Sequence, residues 1–257
     1  MTGPGRSGAG VVLVTGGRRG IGRAVAGRFL SEGWTVALND VESDDLVETV
    51  GSLASDDGML SSHPADVGDR EQVERLVGEV YETHGRLDAL VANAGVIRFG
   101  PVLEYPASDF EETVRVNLTG VFHCTQVVAR RWIEDGSPGS IVIVSSVSAH
   151  QARPGHGAYG ASKAGAEILA RVEAMELGPH GIRVNCVAPG GPIITEFVAP
   201  QAATPGFDER VRSTVPLGRV GTPEEVGSVV WFLSGEDSSY MTGAVVVVDG
   251  GVSLGRP

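Results

Sequence analysis

Tyr159 and Lys163 stand four residues apart, the spacing that puts two side chains on one face of a helix. A phenol with a reference pKa of about 10 is a poor acid–base group at neutral pH. A neighbouring ammonium favours the phenolate and lowers that value, so a Tyr-x-x-x-Lys pair can hold and move a proton. The same pattern occurs on ordinary helix surfaces, so the pair needs partners before it means chemistry. Ser145, Ser146 and Ser148 follow an apolar run shortly before it. A serine hydroxyl there can hydrogen-bond both a substrate oxygen and the tyrosine.

A second group of residues suits a nucleotide. Thr15-Gly16-Gly17-Arg18-Arg19-Gly20-Ile21-Gly22 follows the apolar run 11–15 and opens an amphipathic stretch, 20–31. Gly16, Gly20 and Gly22 let the backbone approach a pyrophosphate, and the helix start around Ile21 supplies partial positive charge and N–H donors. Asp40 follows the next apolar run, where a carboxylate accepts hydrogen bonds from the adenosine ribose hydroxyls. A 2′-phosphate there would bring roughly −1.5 to −2 charge. Each charge pair at ~4 Å would then cost of order 4 kcal/mol at an effective dielectric of about 20. Asp40 therefore predicts NAD(H) as the preferred cofactor. Arg18 and Arg19 pull the other way, since guanidinium pairs well with phosphate, and NADP(H) stays open.

These residues need a scaffold that gathers strand ends and helix starts. Apolar runs at 11–15, 35–39, 87–92, 140–145, 182–187 and 244–248, with a weaker strand pattern at 59–63, alternate with helical patterns at 20–31, 44–54, 69–83, 108–133, 158–177 and 222–233. Thr222, Pro223 and Glu225 give the last of these an N-cap, a first-turn proline and a capping box. Runs such as VVLVT, IVIV and VVVV suit strands buried on both faces. The expected fold class is α/β, a single Rossmann-type doubly wound domain over 10–257 with a seven-stranded, mostly parallel sheet flanked by helices. A flexible Gly-rich segment, 1–9, precedes it. The stretch 190–214, with three prolines and few periodic apolar residues, is expected to be an irregular substrate-loop insert.

In this order the motifs resemble the short-chain dehydrogenase/reductase family, in the branch with subunits of about this length, over nearly the whole chain. The glycine turn has that family's Gly-x-x-x-Gly-x-Gly spacing. Asn93-Ala94-Gly95 ends the fourth strand, with Ala92 in place of the family's first Asn. Tyr159 to Lys163 is its YxxxK pair, Pro189-Gly190 follows the sixth strand, and Asp249-Gly250-Gly251 closes the last. The resemblance selects Ser146, 13 residues before Tyr159, among the three serines. It implies that Asn117 is a fourth catalytic residue holding a water that relays protons to Lys163, and that Lys163 also holds the nicotinamide ribose. Asp66 and Val67 are implied adenine contacts, the Asp66 side chain accepting from the adenine amine. Thr195 is the implied contact to the nicotinamide carboxamide. Residues 189–195 run one residue longer than the family pattern, which makes Ile193 or Ile194 the expected backbone contact. The resemblance further implies hydride transfer between nicotinamide and a carbonyl or secondary alcohol. It also implies a homotetramer built through the helices carrying Asn117 and Tyr159 and through the C-terminal segment.

Bulk properties fit this reading. A net charge of −12 over 257 residues disfavours a nucleic-acid partner, and the close pairs Arg18-Arg19 and Arg130-Arg131 suit solvated helix ends or faces. No apolar run approaches the ~18 residues of a membrane span, and residues 1–10 lack a secretory apolar core. A cytoplasmic protein is expected. The six histidines show no metal-ligand spacing, and no metal is expected. Cys124 and Cys186 lie in apolar stretches outside any CxxC and read as buried free thiols. Three other functions share parts of this pattern. One is a 3-oxoacyl-[acyl-carrier-protein] reductase, for which Arg98, Arg130 and Arg131 would have to form a local basic patch. A non-catalytic, cofactor-binding regulator would typically lack Tyr159 or Lys163. A Rossmann methyltransferase has no use for YxxxK. Substrate contacts are sought among Ser148, His150, Gln151, Arg153, His156 and the insert, which read equally well as exposed loop polar residues.

Overall fold

The computed structural model describes residues 10–41, 43–53, 59–195 and 203–254. The segment 1–9 and the part of the insert at 196–202 lie outside the described residues. In chain order the elements are β1 (Val11–Thr15), α1 (Gly20–Ser31), β2 (Thr35–Asp40), α2 (Ser43–Leu53), β3 (Leu60–Pro64), α3 (Arg70–His84), β4 (Ala89–Ala92), α4 (Ala107–Val114), α5 (Gly120–Glu134), β5 (Gly139–Val144), α6 (Gly157–Leu177), β6 (Ile182–Pro189), α7 (Phe207–Thr214), α8 (Pro223–Ser234) and β7 (Val245–Val248). The sheet runs β3-β2-β1-β4-β5-β6-β7, and every neighbouring pair is parallel. The order reverses at β1 and β4, which opens a crevice beyond their carboxyl ends.

The alternation of side chains along each strand divides the core into two layers. Val11, Leu13, Leu90, Ile141 and Ile143 pack with Leu76 and Val80 of α3, Val128 and Trp132 of α5, and Ala166 and Ala170 of α6. Val12, Val14, Val91, Val142 and Val144 pack with Val25 and Phe29 of α1, Leu46 of α2, and Val226 and Val230 of α8. Helices cover both faces of the sheet, so continuous apolar runs are what the strands need. Cys124 and Cys186 are free and buried, and burial pushes both thiols up to about 12.

Two expectations need qualifying. The chain is helical from Ala107 to Glu134 as the pattern at 108–133 indicates, but five residues within it, Arg115–Thr119, form a π turn between α4 and α5. The insert is also not irregular throughout. Phe207, Val211 and Val215, four residues apart, bury one face of α7 against Ile194, Val220 and Val252. The helix α8 starts as the sequence indicates, with the Glu225 carboxylate accepting the Thr222 N–H at 2.9 Å.

Glu173 of α6 is buried between helices. Thr125 of α5 donates its hydroxyl to one carboxylate oxygen at 2.5 Å, and the other oxygen has no hydrogen-bond partner among the described residues. Burial lifts the carboxyl from its ordinary 4.5 to about 7. Between these values the folded chain binds a proton that the unfolded chain releases, so this group makes stability fall as pH rises through that window. The Thr125 hydroxyl also donates to the Phe122 carbonyl at 3.2 Å, so it keeps a partner if Glu173 is removed. Glu173→Met is expected to flatten the pH dependence and to stabilise the protein by about 2–3 kcal/mol at pH 8. Urea melts at pH 5 and pH 8 check this; an equal pH slope in both proteins would contradict it.

Candidate active site

The nucleotide side of the crevice is built by reciprocal bonds between two strand ends. The Thr15 hydroxyl accepts the N–H groups of Asn93 and Ala94, each at 3.1 Å. The Asn93 amide returns to the carbonyls of Thr15 and Gly16 at 3.0 and 2.8 Å. Gly16 has φ 63°, and a Cβ there would lie 2.7 Å from the Ala94 Cα. A Cβ on Gly22 would lie 2.2 Å from the Gly16 carbonyl oxygen. Only glycine permits this close approach. No side chain caps the N-terminus of α1. A glycine-walled helix start whose N–H groups no side chain takes fits a dinucleotide pyrophosphate. Gly16, Gly20, Ile21 and Gly22 line it, with Arg18 and Arg19 on the turn.

Asp40 is fixed beside that turn. Its carboxylate accepts the N–H groups of Arg18 at 3.2 Å and Val41 at 2.9 Å. Asp66 differs from expectation. Its carboxylate accepts the Gly68 N–H and an Arg115 guanidinium N–H, each at 2.8 Å. The same guanidinium grips Glu112 at 2.6 and 2.9 Å and holds that carboxyl below its usual range. Asp66 thus anchors an ion-paired cluster centred on Arg115, and each of its oxygens keeps a second lone pair for an adenine amine. The pairing was not foreseen, because the two residues lie far apart in sequence. Val67 sits next to Asp66 and is buried.

Ser146, Tyr159 and Lys163 come together where β5 ends against α6. Ser146 is buried, and its Oγ accepts the Ser148 N–H at 3.1 Å. Its hydroxyl also hydrogen-bonds Tyr159. Burial raises the Tyr159 pKa above its usual value, and the Ser146 bond opposes that rise only in part. The expected lowering by Lys163 is thus not a property of the protein groups alone. Lys163 Nζ lies 5.9 Å from the Tyr159 ring centre and donates to the Val144 carbonyl at 2.8 Å. Burial drives its ammonium down to about 8.

Asn117 occupies the π turn and is fully buried. Its amide donates to the Val96 carbonyl and accepts the Val96 N–H, both at 2.8 Å, and donates to Ser162 Oγ at 3.2 Å. It pins the Asn93-Ala94-Gly95 turn to α4–α5. A Cβ on Gly95 would lie 3.2 Å from Asn117 Oδ1 and 3.5 Å from Lys163 Nζ, so both groups border that glycine.

Pro189 ends β6 and Gly190 follows it, and a Cβ on Gly190 would lie 2.4 Å from the Val147 side chain. Gly191 absorbs the extra residue with φ 71°. Ile193 bridges to Gly221, and the Ile194 N–H donates to the Gly221 carbonyl at 3.1 Å. That commits Ile194 within the protein and leaves Ile193 as the expected backbone contact. Thr195 lines a crevice of about 850 Å³ between α1 and α8, together with Gly20 and Arg23.

The substrate candidates divide. Ser148 Oγ lies 3.3 Å from His156 Nδ1, and the His156 ring packs 4.7 Å from Phe99. Burial holds the His156 pKa below its usual value. His150 is instead bonded to Glu167 at 2.6 Å, and Gln151 donates to the Ser253 carbonyl at 2.7 Å. Arg153 is exposed and bonds Gln151 at 3.3 Å. Phe99 and Glu167 were not singled out from sequence. Glu167 had a usable signal: it continues the Tyr159–Lys163 helix face by one more turn. Among the described residues no three acidic, histidine or cysteine groups could hold a metal ion, and no helix is long and apolar enough to cross a membrane.

Comparison with known proteins agrees with this geometry. A family profile described as enoyl-(acyl carrier protein) reductase matches residues 16–253. The 3-oxoacyl-[acyl-carrier-protein] reductase FabG of Thermotoga maritima is 39% identical over 244 residues, covering 95% of this chain and 98% of that protein. The glucose 1-dehydrogenase of Gluconobacter oxydans is 39% identical over 246 residues, covering 95% and 91%. A solved structure of ElxO with NADP bound is similar with a TM-score of 0.88 at 30% identity, covering 95% of this chain and 98% of that one. The chain belongs to the short-chain dehydrogenase/reductase family and is an NAD(P)-dependent oxidoreductase that transfers a hydride between nicotinamide and a carbonyl or secondary alcohol.

Proposed function

We propose that this hydride transfer runs on NAD(H) in preference to NADP(H), with Tyr159 as the acid–base group and a small-molecule carbonyl or secondary alcohol as substrate. The observation that carries the reading is the meeting of Ser146, Tyr159 and Lys163 at the carboxyl edge of the sheet. When bound, the nicotinamide supplies or takes up the hydride. The protein's own groups handle the oxygen and its proton. In reduction the Tyr159 hydroxyl gives its proton to the substrate oxygen, while the Ser146 hydroxyl hydrogen-bonds that oxygen as charge builds on it. Oxidation reverses these roles. Lys163 holds the nicotinamide ribose and favours the phenolate, and Asn117 completes a proton relay to Lys163. Gly16, Gly20, Ile21 and Gly22 hold the pyrophosphate, with Arg18 and Arg19 beside it. Asp66 and Val67 serve the adenine end, and Asn93, Ala94 and Gly95 wall the crevice. Pro189, Gly190, Ile193 and Thr195 serve the nicotinamide end. Ser148 and His156, backed by Phe99, face the substrate.

Asp40 supports the cofactor preference, because two backbone N–H groups fix its carboxylate. NADH should bind at least about tenfold more tightly than NADPH, and Asp40→Ala should narrow the gap. Fluorescence titration reads both affinities; tighter NADPH binding by the wild type would overturn the preference and promote Arg18 and Arg19. The function itself is tested by screening alcohols, sugars, acyl thioesters and cyclic ketones while following NADH absorbance. Turnover of none of these classes would count against it. Similarity to the FabG protein favours a second reading, a 3-oxoacyl-[acyl-carrier-protein] reductase. Arg131 is tied to Asp135 at 3.0 Å, which weakens the basic patch that reading needs. A strong preference for carrier-bound over free thioesters would promote it.

Assembly follows from the exposed apolar side chains of two helices. Phe122 and Ile133 of α5 and Ile168, Val172 and Met175 of α6 are exposed, more than a monomer needs on one face. They support a homotetramer, and light scattering should give four times the 26.7 kDa subunit mass. A monomer mass at micromolar concentration would contradict it. The two free, buried thiols suit a reducing compartment, and the cytoplasm is the proposed location.

A further inference from the structure

Three consecutive residues at the end of β5 each meet α6. Val144 accepts the Lys163 ammonium on its carbonyl at 2.8 Å. Ser145 donates its hydroxyl to the Glu167 carboxylate at 2.6 Å. Ser146 hydrogen-bonds Tyr159. Tyr159, Lys163 and Glu167 follow one another at intervals of four residues and so share one face of the helix.

Glu167 is only 3% exposed. A buried carboxylate is costly unless hydrogen bonds fill its oxygens, and an apolar side chain there would be cheaper to bury. Stability alone therefore gives no reason for this residue. Both of its oxygens are used: Ser145 Oγ donates to one, and His150 Nε2 lies 2.6 Å from the other. Ser145 is the residue before Ser146. His150 caps the short helical turn, Val147–Ala149, that follows Ser146. The same turn presses on α6, since a Cβ on Gly160 would lie 2.8 Å from the Ser148 carbonyl oxygen. One carboxylate thus grips the chain on both sides of Ser146 and anchors it to the helix that carries Tyr159 and Lys163.

We propose that Glu167 is a positioning residue for the reaction: through Ser145 and His150 it holds the Ser146 hydroxyl in register with Tyr159, so that both reach one substrate oxygen. This rests on the roles given to Ser146 and Tyr159 above. A misplacement of about 1 Å in such a pair can cost about 100-fold in rate.

The test compares the full-length wild type with Ser145→Ala, His150→Phe, Glu167→Gln and Glu167→Leu on whichever substrate the NADH screen finds. NADH titration counts binding sites, and thermal melts report folding. Glu167→Leu should lower kcat per NADH-binding site by about 10–100-fold, with NADH affinity within about twofold of wild type. Glu167→Gln still accepts the Ser145 hydroxyl and still reaches His150, so it should recover at least about half of the loss on a logarithmic scale. Adding Ser145→Ala or His150→Phe to Glu167→Leu should cost nothing further, because all three act through one contact set. A lowered melt and fewer NADH-binding sites with unchanged kcat per site would mean a structural role only and would overturn the proposal. Should Glu167→Leu fail to fold, Ser145→Ala alone decides: a kcat per site equal to wild type overturns the idea, and a loss of about fivefold or more supports it. Ser146→Ala and Tyr159→Phe separate the two levels. If they keep turnover, the proposed mechanism fails. If they lose it while Glu167→Leu keeps it, only the positioning role fails.

Discussion

Tyr159→Phe is expected to lower turnover by roughly 10²–10⁴ while NADH affinity stays within about twofold. The substitution removes one hydroxyl and keeps the ring that packs between Ser146 and Lys163. The nucleotide contacts proposed at Gly16, Gly22 and Asp40 are untouched. Burial raises the Tyr159 pKa, so the phenol carries its proton throughout the neutral range and is ready to donate in carbonyl reduction. Alcohol oxidation instead needs the phenolate and should accelerate as pH rises. Lys163 limits that gain, because its charge is lost above about 8 unless a bound partner restores it. The measurement is kcat in both directions from pH 6 to 10 for wild type and Tyr159→Phe. Near-normal turnover in the variant would mean that Tyr159 is not the acid–base group and would remove the proposed mechanism.

The parts of this architecture legible in sequence are those carried by local pattern. Doubly buried strands announce themselves as unbroken apolar runs, and these and the weaker, more polar edge strand β3 fall within about two residues of the sequence reading, the usual ambiguity of element ends. Motif spacing likewise placed Ser146, Tyr159, Lys163 and the glycine turn. What stayed hidden depends on contacts between distant residues. Arg115 looks like an ordinary helix-surface cation, and only the fold brings it to Asp66, so the expected adenine acceptor is also half of an ion pair. His150 and Gln151 looked like substrate contacts, but Glu167 and the Ser253 carbonyl claim their side chains. The Tyr159 pKa in the cofactor-free chain was hidden for a related reason. Helix spacing shows that a lysine is near, but not that burial raises the phenol and lowers the ammonium together. The short helix α7 was missed because it offers just two apolar positions, Phe207 and Val211, in a polar stretch.

Lys163→Met is expected to abolish most turnover, by at least about 100-fold, and yet to stabilise the protein in the absence of cofactor. Burial lowers the Lys163 ammonium from its ordinary 10.5 to about 8. Below about 8 the folded and unfolded chains both hold the proton, and the folded state bears the whole cost of the buried charge. Between about 8 and 10.5 only the unfolded chain binds it, so this group makes stability rise with pH across that window. The shift corresponds to about 3 kcal/mol. Methionine fills a similar volume without charge, but it gives up the 2.8 Å bond to the Val144 carbonyl, which, coming from a charged donor, is worth about 1.5–3 kcal/mol. The net expectation at pH 7 is a gain on the order of 1 kcal/mol, shrinking toward pH 10 as the wild type recovers. NADH affinity should fall, since the ammonium is assigned to the nicotinamide ribose. Urea melts at pH 7 and pH 10, run beside NADH titration, check all three effects. A variant less stable than wild type at pH 7 would mean that the ammonium is already compensated inside the protein. The cation would then not be held at a cost that cofactor binding repays, and its role in tuning Tyr159 would lose its physical basis.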